Sequence, residues 1–206
     1  MIRIALWVIL WMVPAYSRAE TVLVLGDSIS AGYGLSSVAD GWVHLMEKGL
    51  ESRKVSVVNG AVSGDTTAGG LNRLPSLLKQ FHPQVVVIEL GGNDGLRGLS
   101  IQLMEHNLGA MIEVIRASGA KSLLLGMQMP AHYGVRFQSL FDEVYPRVAK
   151  VMATPLVPRF LEGVGDHPEL MQADGVHPNA KAQPLLCARV MEALEGLLQA
   201  KTPRAR

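Results

Sequence analysis

Short apolar runs recur along the chain, each followed by turn residues. Thr21 to Leu25 runs into Gly26, Val55 to Val58 into Asn59-Gly60, and Val85 to Ile88 towards Gly91-Gly92. Ser122 to Leu125 ends at Gly126, and a weaker fifth run, Thr154 to Val157, is trimmed by Pro155 and Pro158. Unbroken apolar runs of this length suit strands buried on both faces. Between them apolar positions return at helical spacing. Gly41 to Glu51 places Trp42, Leu45, Met46 and Leu50 on one face. Thr67 to Phe81 does the same with Leu71, Leu74, Leu78 and Phe81, and Pro75 is expected to start a new turn or kink the helix. Ile101 to Ala117 is the clearest pattern, with Ser100 as N-cap and Gly119 as stop. Phe137 to Met152 and Ala182 to Leu198 complete the set.

Strands alternating with helices predict parallel β-α-β units, with helices on both faces of the sheet. Right-handed crossovers make this an α/β fold: a three-layer α/β/α sandwich around a doubly wound, mostly parallel, five-stranded, flavodoxin-like sheet. Ligands in such folds bind beyond the carboxyl ends of the strands.

The first 19 residues follow a different pattern. Arg3 precedes an apolar stretch from Ile4 to Ala15, too short to span a bilayer comfortably. Ser17 and Ala19 are small residues at the −3 and −1 positions of a cleavage site. Residues 1–19 are therefore expected to be a secretory signal peptide, and the mature protein to reach the periplasm or be secreted. Residues 20–200 form one expected domain, and 201–206 a frayed basic tail.

Composition narrows the possibilities. There are 206 residues, 19 Lys+Arg against 18 Asp+Glu, and one cysteine, Cys187. A lone Cys can make neither an internal disulfide nor a multi-Cys metal site, and is expected to be a small buried hydrophobe. A net charge of +1 offers no footprint for a nucleic-acid partner.

Four segments carry candidate chemistry. In Gly26-Asp27-Ser28-Ile29-Ser30, Ser28 sits where a strand hands over to a helix. There its hydroxyl can stand over the sheet edge and its N–H can face a developing negative charge; alternatively it is an N-cap. In Asp174-Gly175-Val176-His177-Pro178, a carboxylate three residues before a histidine can take the ring Nδ1–H and leave Nε2 free for a hydroxyl proton. Gly175 permits the turn and Pro178 suits the first helical position. A metal pair there would lack companions, and no metal is expected. In Gly91-Gly92-Asn93-Asp94 the Asn93 amide can donate to an oxyanion, and the glycines let backbone approach a ligand. In Ser63-Gly64-Asp65 the Gly64 N–H can add a donor. Asp65 and Asp94 are expected to hold their loops by local hydrogen bonds. The other histidines, His44, His82, His106, His132 and His167, are expected outside the chemistry, with His132 the one candidate to line the site.

Taken in order, Gly-Asp-Ser, a lone Gly, Gly-x-Asn-Asp and Asp-x-x-His resemble the SGNH (GDSL-type) hydrolases from about Thr21 to Leu198. Gly26 to Gly34 and Gly91 to Gly98 are similar to the bacterial exported thioesterase, lysophospholipase and arylesterase branch. Ile29 departs from the eponymous Leu. The resemblance implies Ser28 as nucleophile, His177 as general base and Asp174 as its orienting carboxylate. The N–H groups of Ser28 and Gly64 and the amide of Asn93 then form the oxyanion hole. It implies hydrolysis of carboxylic esters and acyl thioesters, lysophospholipids among them, without cofactor. The implied partners are a small acyl substrate and transient lipid, with the protein a monomer. The loop Met129 to Gly134 matches the branch's substrate side, and Leu96, Leu99 and Met129 favour acyl chains. A carbohydrate acetylesterase on the same triad and a non-catalytic periplasmic binding module are the alternatives. Against the module, no dinucleotide fingerprint or phosphate-binding loop occurs.

Overall fold

The computed structural model describes residues 20–129 and 133–198. The expected signal peptide, the basic tail and His132 lie outside the described residues. Among the described residues five strands, β1 (Thr21–Gly26), β2 (Ser56–Asn59), β3 (Val85–Glu89), β4 (Lys121–Leu125) and β5 (Leu156–Val157), form one sheet in the order β2-β1-β3-β4-β5. Every pairing is parallel. The order reverses between β1 and β3, which places the switch point, where doubly wound folds bind ligands, at their carboxyl ends.

Among the described residues eight α-helices connect or follow the strands: α1 (Ser28–Ala31), α2 (Trp42–Leu50), α3 (Thr67–Phe81), α4 (Gly92–Leu96), α5 (Ile101–Ala117), α6 (Val135–Asp142), α7 (Val144–Met152) and α8 (Gln183–Glu195). One layer packs α2 against α8, and the other packs α3 on α5 and α5 on α7. This is the expected three-layer sandwich. The core lies along the sheet. Val22, Leu23, Val24 and Leu25 in β1 and Val86, Val87 and Ile88 in β3 are fully buried. Each such side chain contributes about 1.5–3 kcal/mol of burial, which explains why these runs read as strands without alternation.

Local chemistry explains most element ends. Ser100 caps α5 by accepting Leu103 N–H at 3.2 Å, and Gly119 follows its end at φ +84°. Pro75 neither ends nor restarts α3, which runs through it. The expected helix from Phe137 to Met152 is two helices. Pro146 lacks the N–H that would reach the Asp142 carbonyl, and its ring crowds that carbonyl, so α6 stops there and α7 begins at Val144. Pro178 does not open the last helix either. It pairs with Met171 in an isolated antiparallel bridge, and Pro184 takes the first turn of α8 instead. Cys187 is half-buried on α8 and packs against the core.

Candidate active site

Ser28 is the first residue of α1, immediately beyond β1. The cap of that helix is its neighbour Asp27, whose Oδ1 accepts the Ile29 N–H at 3.0 Å. Capping is thus delegated to Asp27, and the Ser28 hydroxyl is left for another partner. That partner is His177, whose Nε2 lies 2.8 Å from Ser28 Oγ across 149 residues of sequence.

His177 is held by a closed turn. Gln172 N–H donates to the His177 carbonyl at 2.8 Å, and Gly175 N–H donates to Gln172 at 3.0 Å, with Gly175 at φ +66°. Asp174 organises the turn from within. Its Oδ1 accepts the N–H groups of Val176 at 2.9 Å and His177 at 3.0 Å. Its Oδ2 lies 2.7 Å from His177 Nδ1. With Nδ1–H donated to the carboxylate, Nε2 remains the acceptor for the serine proton. Burial pushes the Asp174 carboxyl up. The His177 backbone and ring hydrogen bonds, the Val176 N–H and the His177 charge outweigh it and hold the group at about 2. It is therefore an anion throughout the working range of an enzyme. The Tyr33 ring packs on His177, with centroids 4.7 Å apart, and limits the tilt of the imidazole.

Asn93 is in the first turn of α4, beyond β3. Its Nδ2 donates one hydrogen to Asp27 Oδ2 at 3.0 Å, which leaves the second N–H for another acceptor. Gly64 lies in the loop after β2 at φ +79°, and its carbonyl accepts Arg97 Nη2 at 2.6 Å. That loop is tied to β1, since Val62 N–H donates to Gly26 O at 3.0 Å. Ser28, His177 and Asn93 line one cavity of about 230 Å³, walled by Leu96, Met127, Met129, Leu161 and Met171. Leu99, expected at this groove, is instead exposed on the surface and does not line the cavity. Among the described residues no group of three or more His, Cys, Asp and Glu side chains could hold a metal ion.

Several expectations were too local. Asp94 does not hold its own loop alone: its carboxylate accepts Thr67 N–H at 2.9 Å and Thr67 Oγ1–H at 2.5 Å, and so ties α4 to the start of α3. Asp65 does both, accepting Thr66 N–H at 3.0 Å and pairing with Arg73 at 2.7 Å. Gly91 serves packing rather than ligand approach. At φ +116°, any Cβ there would strike the Tyr145 hydroxyl, which donates to Leu90 O at 3.0 Å. Gly92 is the glycine that lines the cavity. His82 caps α3 in the left-handed conformation, His44 pairs with Glu47 and His167 with Glu169, all away from Ser28.

The residue that sequence reasoning missed is Glu89. It ends β3 fully buried, and its Oε2 accepts Ser30 Oγ–H at 2.6 Å and Asp27 N–H at 3.2 Å. A single carboxylate inside an otherwise apolar run, Val85 to Leu90, was the available signal.

Residues 24–184 match the family of GDSL-like lipases and acylhydrolases, and the chain belongs to that family. It is a hydrolase of the GDSL type. Esterase TesA of Pseudomonas aeruginosa is 52% identical over 184 residues, which cover 88% of this chain and 91% of the relative. The Escherichia coli protein named thioesterase 1/protease 1/lysophospholipase L1 is 46% identical over 182 residues, covering 88% and 86%. A crystal structure of TesA superposes with a TM-score of 0.84 at 52% identity, covering 87% of this chain and all of that one. Among the described residues no helix is long and apolar enough to cross a membrane.

Proposed function

We propose that this protein hydrolyses carboxylic esters and acyl thioesters with Ser28 as nucleophile. The observation that carries the reading is the continuous chain Ser28 Oγ, His177 Nε2, His177 Nδ1, Asp174 Oδ2, with links of 2.8 and 2.7 Å, at the edge of a cavity with one thioether and aliphatic side and one polar side. His177 takes the hydroxyl proton as Oγ attacks the acyl carbon, and the Asp174 anion stabilises the resulting imidazolium. The N–H groups of Ser28 and Gly64 and the free N–H of Asn93 receive the carbonyl oxygen as it becomes negative. Loss of one such donor raises the barrier by about 3 kcal/mol. His177 returns the proton to the departing alcohol or thiol. Water, deprotonated by the same ring, then releases the acyl group from Ser28. No step calls on a cofactor.

The cavity supports the acyl preference. Its wall joins the thioether and aliphatic side chains of Leu96, Met127, Met129, Leu161 and Met171 to the polar side chains of Gln138, Arg159 and Asp166, and each methylene buried on the apolar part gains about 0.8 kcal/mol. A lysophospholipid or an acyl thioester satisfies that wall, and contact with lipid is transient, through the substrate. A sugar acetyl group would leave the thioether and aliphatic part of the wall unused, so the carbohydrate acetylesterase is the lesser reading. The enzyme acts as a monomer. The first 19 residues direct it to the periplasm, and the domain spans 20–200 with a short basic tail. Turnover of nitrophenyl esters from acetate to palmitate, beside acyl thioesters and an acetylated sugar, tests this. Activity that rises beyond acetate supports acyl chains, and preference for the acetylated sugar overturns them.

A further inference from the structure

Below Ser28 lie two buried carboxyl groups in direct contact. Asp27 is 2% exposed and Glu89 not at all. Glu89 Oε2 accepts the Asp27 N–H and the Ser30 hydroxyl, while Glu89 Oε1 is buried with no hydrogen-bond partner among the described residues. Asp27 is served differently. Both of its oxygens receive N–H donors, from Ile29 and from Asn93, and His177 faces it. Further groups near the pair are the Tyr145 phenol, Asp94 committed to Thr67, and Arg73, which is paired with Asp65 and donates to the Gly60 carbonyl and, at 3.3 Å, to the Gly26 carbonyl. Among the described residues no Lys or Arg is bonded to either carboxyl. Two adjacent buried carboxylates without a cation cannot both ionise. The proton belongs on the acid whose second oxygen lacks a donor, and the charge on the acid that has two.

We propose that Glu89 is a positioning residue that works as a neutral carboxylic acid, holding the Asp27–Ser30 turn while Asp27 remains the single buried carboxylate that aligns the Asn93 amide. The inference rests on the reading of Ser28 as nucleophile and Asn93 as an oxyanion donor. It assigns the two acids opposite tasks. Asp27 needs its charge, because a carboxylate accepts from Ile29 and Asn93 without offering a proton of its own. Glu89 needs only an oxygen that accepts from Asp27 N–H and Ser30 Oγ–H, and an amide oxygen can do that. Burial, with the Asp27 charge added, pushes the Glu89 carboxyl well above its ordinary range. Burial also raises Asp27 to about 6, against the Ile29 N–H, the His177 charge, Asn93 and Glu89, which pull it down. Near neutral pH the pair thus carries one charge, on Asp27.

The test applies one chemical change to both acids. Glu89→Gln and Asp27→Asn are isosteric, and each is purified full length and assayed on a short nitrophenyl ester. Glu89→Gln is expected to rescue the wild-type kcat to within about threefold and to leave the acid limb of the pH profile in place. Asp27→Asn is expected to lower kcat about 10–100-fold with KM held, the signature of a misaligned oxyanion donor. Infrared difference spectra of wild type against Glu89→Gln are expected to show loss of a protonated-carboxyl C=O band. Equal tolerance of both changes, a larger loss in Glu89→Gln, or no lost band overturns the inference. Phosphonate labelling of Ser28 in the same wild-type preparation separates the two levels. An unlabelled Ser28 removes the nucleophile reading, whereas a labelled Ser28 with an inert Glu89→Gln removes only the Glu89 assignment.

Discussion

The site is assembled from two regions that are held in different ways. The Ser28–Asn93 side grows from the carboxyl ends of β1 and β3, the two central strands at the switch point. Its contacts are long-range and wholly or partly buried, such as Asn93 to Asp27 across 66 residues and Ser30 to Glu89 across 59. The Asp174–His177 side is a surface turn. The Asp174 bonds to Val176 and His177 span two or three residues, and the Asp174 side chain is 41% exposed. One region owes its precision to the packed sheet, the other to a short sequence that folds on itself. The interior contacts of the sheet side, such as Asn93 to Asp27, should therefore answer to mutation through both stability and turnover, whereas the turn side and the Ser28 hydroxyl that bonds to it should answer through turnover alone.

Ser28→Ala is expected to have the largest effect, lowering kcat by roughly 10⁴-fold or more with an unchanged melting curve. Ester kinetics beside thermal unfolding checks both halves of that statement. Asp174→Asn keeps the Oδ1 acceptor for the two backbone N–H groups but removes the charge behind His177. It is expected to cost about 10²–10³ in kcat and nothing measurable in melting temperature. A drop in stability there would erase the contrast between the two sides. Asn93→Ala should lower kcat about 100-fold. Unlike the turn variants it should also destabilise the fold by about 1–3 kcal/mol, because Asp27 loses a donor in a buried place. Denaturant melts decide this.

The pH dependence sharpens the same contrast. Glu89 is raised in the fold, so its contribution to stability is present at low pH and is lost as pH rises through its folded value. Glu89→Gln should flatten that alkaline fall. Asp174 is lowered to about 2, so its contribution is present above its unfolded range and fades only as pH drops towards 2. Solvent screening at its exposed position keeps that contribution small. The smallest effect belongs to His167→Ala, which removes an exposed pair with Glu169 and should leave kcat/KM within about twofold.

The two regions also differed in how far they could be read from sequence. The turn was legible: Asp174, Gly175 and His177 carry their geometry in their spacing, and the structure joins Asp174 to His177 as that spacing expects. Strand positions were legible too, because parallel strands buried on both faces leave unbroken apolar runs. What escaped was whatever depended on packing between distant segments. Glu89 was hidden within an apolar run, and its meaning rests on Asp27 and Ser30, which only strand pairing brings near. Asp94 looked like a loop residue until α3 arrived beside it. Pro146 split a helix whose apolar periodicity continues across the break, because periodicity reports burial and is blind to one missing N–H. Pro178 has the chemistry of a helix start, yet it pairs with Met171 in a bridge before the chain reaches α8, a pairing with an earlier segment that local spacing does not carry.

Ser28 as a nucleophile activated through His177 is the role on which the whole site turns. Intact-mass and peptide spectrometry after treatment with an ethylphosphonate ester tests it most directly. A single stoichiometric adduct on Ser28, absent in Ser28→Ala and greatly slowed in His177→Ala, is the predicted result. An adduct on any other residue, or full ester turnover by Ser28→Ala, would contradict it.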